Sequence, residues 1–239
     1  MIERQIEVTT PDGVMTTFVY HPTHDGPHPV VLYLMDGPSI RPALEEMASR
    51  LATAGYYVML PFLFYRGSPY RVFGQTDEEM HRRRELIDTV TPTNIVGDAE
   101  ALLALAGQDP AAAGGKVGAV GFCMSGGLTV ALARALPDRV AAAASVHGAW
   151  LVREGEDSPH LGLDRVRAEL YFGWVHDDPT APPETRATMV EALDAAGVTY
   201  AMDVITDAVH GYAPPGDRYD RAASELHWER VHALLRRNL

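Results

Sequence analysis

A chain of 239 residues, 46% apolar and 22% charged, has the composition of a globular protein able to bury one good core, and a single domain over residues 1–239 is the simplest reading. A formal net charge of −12 works against nucleic acid and anionic membrane surfaces as partners. No apolar run approaches the ~18 residues of a membrane span, the first residues lack the order of a secretory signal, and a single cysteine can form no internal disulfide, so a cytoplasmic protein acting on a small molecule is expected.

Ile2 to Thr9 and Val14 to Tyr20 are strand-like runs around the turn Pro11-Asp12-Gly13, which predicts an opening hairpin at a sheet edge. Val30 to Met35 is a continuous apolar strand, Pro42 to Thr53 has helical spacing ending at Ala54-Gly55, and Tyr56 to Leu60 is apolar again, a strand-helix-strand unit. Thr76 with Glu79 three residues on reads as a capping box opening a helix through Asp88, and a further helix fits Thr93 to Ala106. Arg82-Arg83-Arg84, surrounded by Glu78, Glu79 and Glu85, reads as a solvated helical face.

The alternation continues with strand Lys116 to Gly121, helix Met124 to Leu136, strands Val140 to Val146 and Ala168 to Gly173, helix Pro183 to Ala196, strand Thr199 to Ile205 and a closing helix near Tyr219 to Arg237. Alternating units of this kind predict an α/β fold with a mostly parallel sheet covered by helices on both faces. Two irregular stretches, Pro61 to Gln75 and His147 to Arg167, are long enough to suggest function.

Ligands of an open parallel sheet bind beyond the carboxyl ends of its strands, which singles out Asp36, Cys123, Asp178 and His210. Cys123 lies in Gly121-Phe122-Cys123-Met124-Ser125-Gly126-Gly127, between an apolar strand and a helix, with small residues two positions to either side. A nucleophile elbow needs that spacing, so that neighbouring backbone does not collide with the exposed side chain. Nucleophile, acid and histidine then follow in the chain order of α/β-hydrolases.

The elbow resembles the Gly-x-Cys-x-Gly-Gly segment of the dienelactone hydrolase family; Asp178-Pro179 through Pro182 resembles its acid loop, and Ala208-Val209-His210-Gly211-Tyr212 its histidine loop. The likeness runs over nearly the whole chain. It implies an α/β-hydrolase fold and hydrolysis of a small ester or lactone through Cys123, His210 and Asp178, with no metal or organic cofactor. A thiol with a pKa near ~8.5 is only slightly ionised at neutral pH, so His210 would activate Cys123 while Asp178 holds the second imidazole nitrogen. Backbone N–H groups of Met124 and Gly37 would hold the oxyanion. Asp36 falls where the family carries an acid that interacts with the resting thiol, and would modulate Cys123.

Other readings stay open at this point. Ser125 has a small-x-Ser-x-small surround of its own, Asp177 adjoins Asp178, and His147, His160, His176 and Asp177 could be read as metal ligands although no tight ligand spacing supports it. Tyr65, Arg66 and Arg71, in an aromatic stretch with Phe62, Phe64, Tyr70 and Phe73, would line an apolar pocket and clamp a carboxylate, or merely pack the loop; Trp150 and Tyr212 would line the pocket too. The family binds its substrate's carboxylate with arginines, one shortly after the histidine, where the nearest here is Arg218. A thioesterase or promiscuous carboxylesterase of the same fold, and a non-catalytic binding or thiol redox-sensing protein, are the alternatives. A homodimer is among the partners the sequence allows.

Overall fold

The computed structural model describes all 239 residues, and their packing divides them into two compact units, Met1–Gly115 and Lys116–Leu239. In the first unit, β1 (Ile2–Thr10) and β2 (Gly13–His21) form an antiparallel hairpin with Thr10 opposite Gly13. The Thr10 hydroxyl closes the turn, donating to the Gly13 carbonyl at 2.9 Å and accepting from the Asp12 N–H at 3.1 Å. β2 pairs antiparallel with β4 (Tyr57–Pro61), which pairs parallel with β3 (Val30–Leu34), so the order is β1-β2-β4-β3 and the hairpin supplies the edge.

Helix α1 (Pro42–Thr53) connects β3 to β4 and turns Leu44, Met47, Ala48, Leu51 and Ala52 inward, the 3.6-residue period read from the sequence. Helix α2 (Asp77–Ile87) opens as predicted, with the Thr76 hydroxyl accepting from the Glu79 N–H, and α3 (Asn94–Ala106) packs against β1. One expectation for α2 fails. Arg83 is buried rather than solvated, with the charges of Arg41 and Asp36 acting on it.

In the second unit, β5 (Val117–Phe122), β6 (Val140–Val146), β7 (Glu169–Val175) and β8 (Tyr200–Ile205) pair in that order, all parallel. β5 is buried throughout, which is why it reads as an unbroken apolar run rather than an alternating one. Helix α4 (Gly126–Ala135) lies on β5 and β6, α5 (Pro183–Ala196) connects β7 to β8, and α6 (Arg221–Asn238) lies on β6 and β7. Its N-cap is Asp220, whose carboxylate accepts from the Ala223 N–H at 2.8 Å, so α6 begins two residues later than the pattern suggested.

β7 runs on to Val175, two residues past its expected end, because Trp174 and Val175 still pair with Val204 and Ile205. Helix α4 starts at Gly126, after a 3₁₀ turn over Cys123–Ser125 that the helical pattern from Met124 did not separate. Both irregular stretches contain a short 3₁₀ turn, Leu63–Arg66 and Leu163–Arg165. The second stretch is tied to α4 by Arg134, whose guanidinium donates to the carbonyls of Ser158 at 2.9 Å, Leu161 at 2.7 Å and Asp157 at 3.3 Å. No helix is long and apolar enough to cross a membrane.

Candidate active site

β5 runs extended to Phe122, and the backbone then reverses through Cys123, whose φ of 52° lies in the left-handed region that residues with a Cβ avoid. That conformation lifts the side chain out of the path joining strand to helix and leaves the thiol half-buried rather than enclosed. The turn closes only because its neighbours are small. A Cβ on Gly121 would stand 2.3 Å from the Ser125 carbonyl oxygen, and one on Gly126 2.4 Å from the Gly148 Cα. The residues after β6 are pressed against the same turn, with the Ala149 N–H donating to the Cys123 carbonyl at 2.9 Å. Ser125, the other nucleophile candidate, is fully buried at the base of the turn.

The loops after β7 and β8 bring the acid and the histidine together. Asp178 Oδ2 accepts from His210 Nδ1 at 2.7 Å, while Oδ1 accepts from the N–H and hydroxyl of Thr180 at 2.8 and 2.7 Å. The Thr180 hydroxyl also stands 3.3 Å from His210 Nδ1. The Asp178 side chain is 0% exposed, whereas that of Asp177 is 91% exposed and pairs with the neighbouring His176 at 2.8 Å. Of the two adjacent aspartates, only Asp178 turns inward to the imidazole. Arg186 fixes the acid loop from behind, its guanidinium donating to the carbonyls of Val175, His176 and Ala181 at 3.0, 3.0 and 2.8 Å.

The Cys123 side chain acts on the same imidazole, its interaction raising the His210 pKa alongside that of Asp178. Burial alone would lower the imidazole pKa, but the hydrogen bonds and negative charges of Asp178 and Cys123 outweigh it and raise the pKa from 6.5 to about 10. Burial likewise works to raise the pKa of Asp178, and its bonds from His210 and Thr180 outweigh that and hold it below the ordinary carboxylate value. The two shifts share one cause, the mutual stabilisation of Asp178 and His210, to which Cys123 adds on the imidazole and Thr180 on the carboxylate.

The family model described as "Dienelactone hydrolase family" matches residues 15–239. The chain belongs to the dienelactone hydrolase family. It is 27% identical over 227 residues to a candidate carboxymethylenebutenolidase of Synechocystis sp. (strain ATCC 27184 / PCC 6803 / Kazusa), covering 93% of this chain and 91% of the relative. It is 24% identical over 226 residues to the carboxymethylenebutenolidase of Pseudomonas putida, covering 94% and 89%. A candidate dienelactone hydrolase from Klebsiella pneumoniae subsp. pneumoniae MGH 78578 shares its fold, with a TM-score of 0.86 at 21% identity over 98% of this chain and 97% of the other. This dienelactone hydrolase family member therefore has the α/β-hydrolase fold expected for it.

Several other residues singled out in the sequence have contacts of their own. In the first unit, Asp36 is buried and both its oxygens accept from Arg41, at 2.6 and 2.9 Å, so its carboxylate is committed to a guanidinium. Burial nevertheless holds its pKa above the ordinary value, with Arg41 working against the rise. Gly37 follows in the Asp36–Ser39 turn, which the Ser39 N–H closes on the Asp36 carbonyl at 2.9 Å. Tyr65 and Arg66 both engage Asp98. The Tyr65 hydroxyl donates to Asp98 Oδ1 at 2.6 Å, and the Arg66 guanidinium bonds both Asp98 oxygens, at 3.0 and 2.7 Å, and Asp12 at 2.8 Å, bracing the hairpin turn against α3. Arg71 pairs with Glu79 at 2.9 Å and lies over the Phe73 ring.

In the second unit Trp150 is 43% exposed on the loop held against the elbow, with a left-handed φ of 55°, while Tyr212 is buried with its ring against those of His147 and His227. The four side chains considered as metal ligands go separate ways: His160 bonds the Ser158 hydroxyl at 2.7 Å, His176 bonds Asp177, and His147 is enclosed behind His210. Sequence reasoning missed Thr180, Arg186 and the contact of His147 with His210. Thr180 alone left a signal, since an Asp two residues before a Thr is an Asx-turn pattern.

Proposed function

We propose that this protein hydrolyses a small ester or lactone through an acyl-enzyme on Cys123, with His210 as the proton carrier and Asp178 as its partner, within one α/β-hydrolase domain. The observation that carries the reading is the 2.7 Å hydrogen bond between His210 and Asp178, with Cys123, at a left-handed strand-to-helix turn, acting on the same imidazole. The relatives named for carboxymethylenebutenolidase activity support the substrate class.

An imidazolium beside the sulfur favours the thiolate, the form that attacks. The thiolate adds to the acyl carbon, and the carbonyl electron pair moves onto oxygen, where the Met124 backbone N–H would receive it; such a donor is worth about 2.7–4 kcal/mol. The C–O bond then breaks and His210 gives its proton to the departing alkoxide, leaving a thioester and a neutral imidazole. In a lactone the departing oxygen stays tethered to the acyl chain. Neutral His210 next removes a proton from water, the resulting hydroxide attacks the thioester, and the thiolate leaves beside a restored imidazolium. Through both halves Asp178 keeps Nδ1 as the donor and stabilises the positive ring.

Mass spectrometry of the protein mixed with p-nitrophenyl acetate, together with turnover by wild type, Cys123→Ala and Ser125→Ala, tests this. The expected result is a mass gain of one acetyl group on wild type and none on Cys123→Ala, with turnover lost in Cys123→Ala and kept in Ser125→Ala. Turnover that survives in Cys123→Ala and vanishes in Ser125→Ala overturns the assignment of the nucleophile. Thiol oxidation without ester turnover would point to a redox sensor instead.

A further inference from the structure

The acyl-transfer steps leave His147 unused, although it touches the imidazole that carries them. It is the first residue after β6, fully buried, and its N–H donates to the Gly173 carbonyl at 2.7 Å. Its φ of 38° is left-handed, a conformation a residue with a Cβ holds at a cost, and neither ring nitrogen has a hydrogen-bond partner. The ring meets that of His210 edge to face, with centroids 5.1 Å apart and planes at 65°. Tyr212 closes on it at 5.1 Å and 75°, and Phe122 lies against it at 5.9 Å.

The groups facing His147 from the packed elements are His210, His227, Tyr212 and, further off, Asp178. Burial, then repulsion from His210 and His227, pushes its pKa well below the usual imidazole value, so it stays neutral while His210 carries the charge. The hydrogen bond to Asp178 holds one edge of the His210 ring and restrains, without abolishing, its rotation about the bond to Cβ. A flat neighbour against that ring removes the remaining rotation.

Accepting the Cys123 reading above, we propose that His147 is a positioning residue: its buried ring sets the plane in which His210 joins Asp178 to Cys123. Two burdens, a left-handed backbone and two unpartnered nitrogens, fall on the one residue that backs the catalytic imidazole.

The test compares wild type with His147→Phe, which keeps a flat ring, and with His147→Ala and His147→Leu, which do not, in kcat, KM and the pH profile of kcat/KM for p-nitrophenyl acetate. His147→Ala and His147→Leu should lose about 10- to 100-fold in kcat, with KM changed by less than about twofold. The alkaline limb of their profiles should move toward neutrality as His210 slips from its partners. His147→Phe should recover kcat to within about threefold of wild type and show a higher Tm, because the phenyl ring buries no unpartnered nitrogen. A wild-type kcat and pH profile in His147→Leu, or a His147→Phe as impaired as His147→Leu, overturns the proposal. Leu is close in volume, so the contrast holds even where Ala fails to fold. Activity surviving Cys123→Ala sinks the acyl-thiol reading itself, whereas an inactive Cys123→Ala beside a fully active His147→Leu sinks only the role of His147.

Discussion

Replacing Asp178 by Asn removes one charge and leaves nearly everything else in place. Unit charges 2.7 Å apart at an effective dielectric of about 20 attract by about 6 kcal/mol, which is more than four powers of ten in proton affinity for His210. Burial opposes that attraction, and wild-type His210 settles at about 10. With the carboxylate gone the burial remains, so the imidazole pKa should fall well below its wild-type value. An amide can also present its N–H toward Nδ1 and select the wrong tautomer, and the corresponding change in a Ser-His-Asp enzyme costs about 10⁴-fold. We therefore expect Asp178→Asn to lose about 10³- to 10⁴-fold in kcat/KM at neutral pH.

Stability should respond with a definite sign. The folded pKa of His210 lies above its unfolded value, so its contribution is fully present below about 6.5 and is lost as the pH rises through about 10. Wild type should lose Tm across that window, and Asp178→Asn should lose much less. Profiles of kcat/KM on p-nitrophenyl acetate from pH 5 to 11, with thermal melts at each pH, make the comparison. An Asp178→Asn variant within about tenfold of wild type, beside an Asp177→Asn variant that carries the loss, refutes the reasoning.

At the elbow, Cys123→Gly should be more stable than Cys123→Ala by about 1 kcal/mol, or roughly 2–4 °C in Tm, because glycine alone accepts a φ of 52° without strain; equal melting temperatures would contradict this. Thr180→Val removes one of the two donors to Asp178 Oδ1, so stability should fall by about 1 kcal/mol and the alkaline limb of kcat/KM should shift downward in pH, read from denaturant melts and pH profiles. Arg66→Ala should destabilise by about 3–5 kcal/mol in urea unfolding, because it leaves a buried Asp98 carboxylate without its cation, and KM for an ester bearing a carboxylate should stay at the wild-type value.

The elements legible in the sequence were those whose signal is local. Pro11-Asp12-Gly13 announces its hairpin, Thr76 and Glu79 their helix start, and the glycines around Cys123 an elbow, because each depends on residues within a few positions. Where partners are distant, the reading stopped short. Asp177 and Asp178 are neighbours of the same chemistry, and only the direction in which each side chain leaves the β7 loop separates them. Tyr65 and Arg66 looked like pocket residues because their partner, Asp98, sits in an apolar helix more than thirty residues away. Arg83 belonged by charge pattern to a wet face, yet it is drawn inward toward the buried charge of Asp36. His147 was legible only as a candidate metal ligand, since one histidine after a strand says nothing of what it rests on.

Arg134 has a consequence for the loop that follows β6. By gripping three carbonyls between Asp157 and Leu161, it fastens the far end of the stretch after β6 to the helix whose first turn aims Cys123, while Ala149 fastens the near end to Cys123 itself. A loop moored at both ends to the support of Cys123 is held together with that turn, so exchanges within residues 150–156, slung between the two moorings, should leave the turn in place.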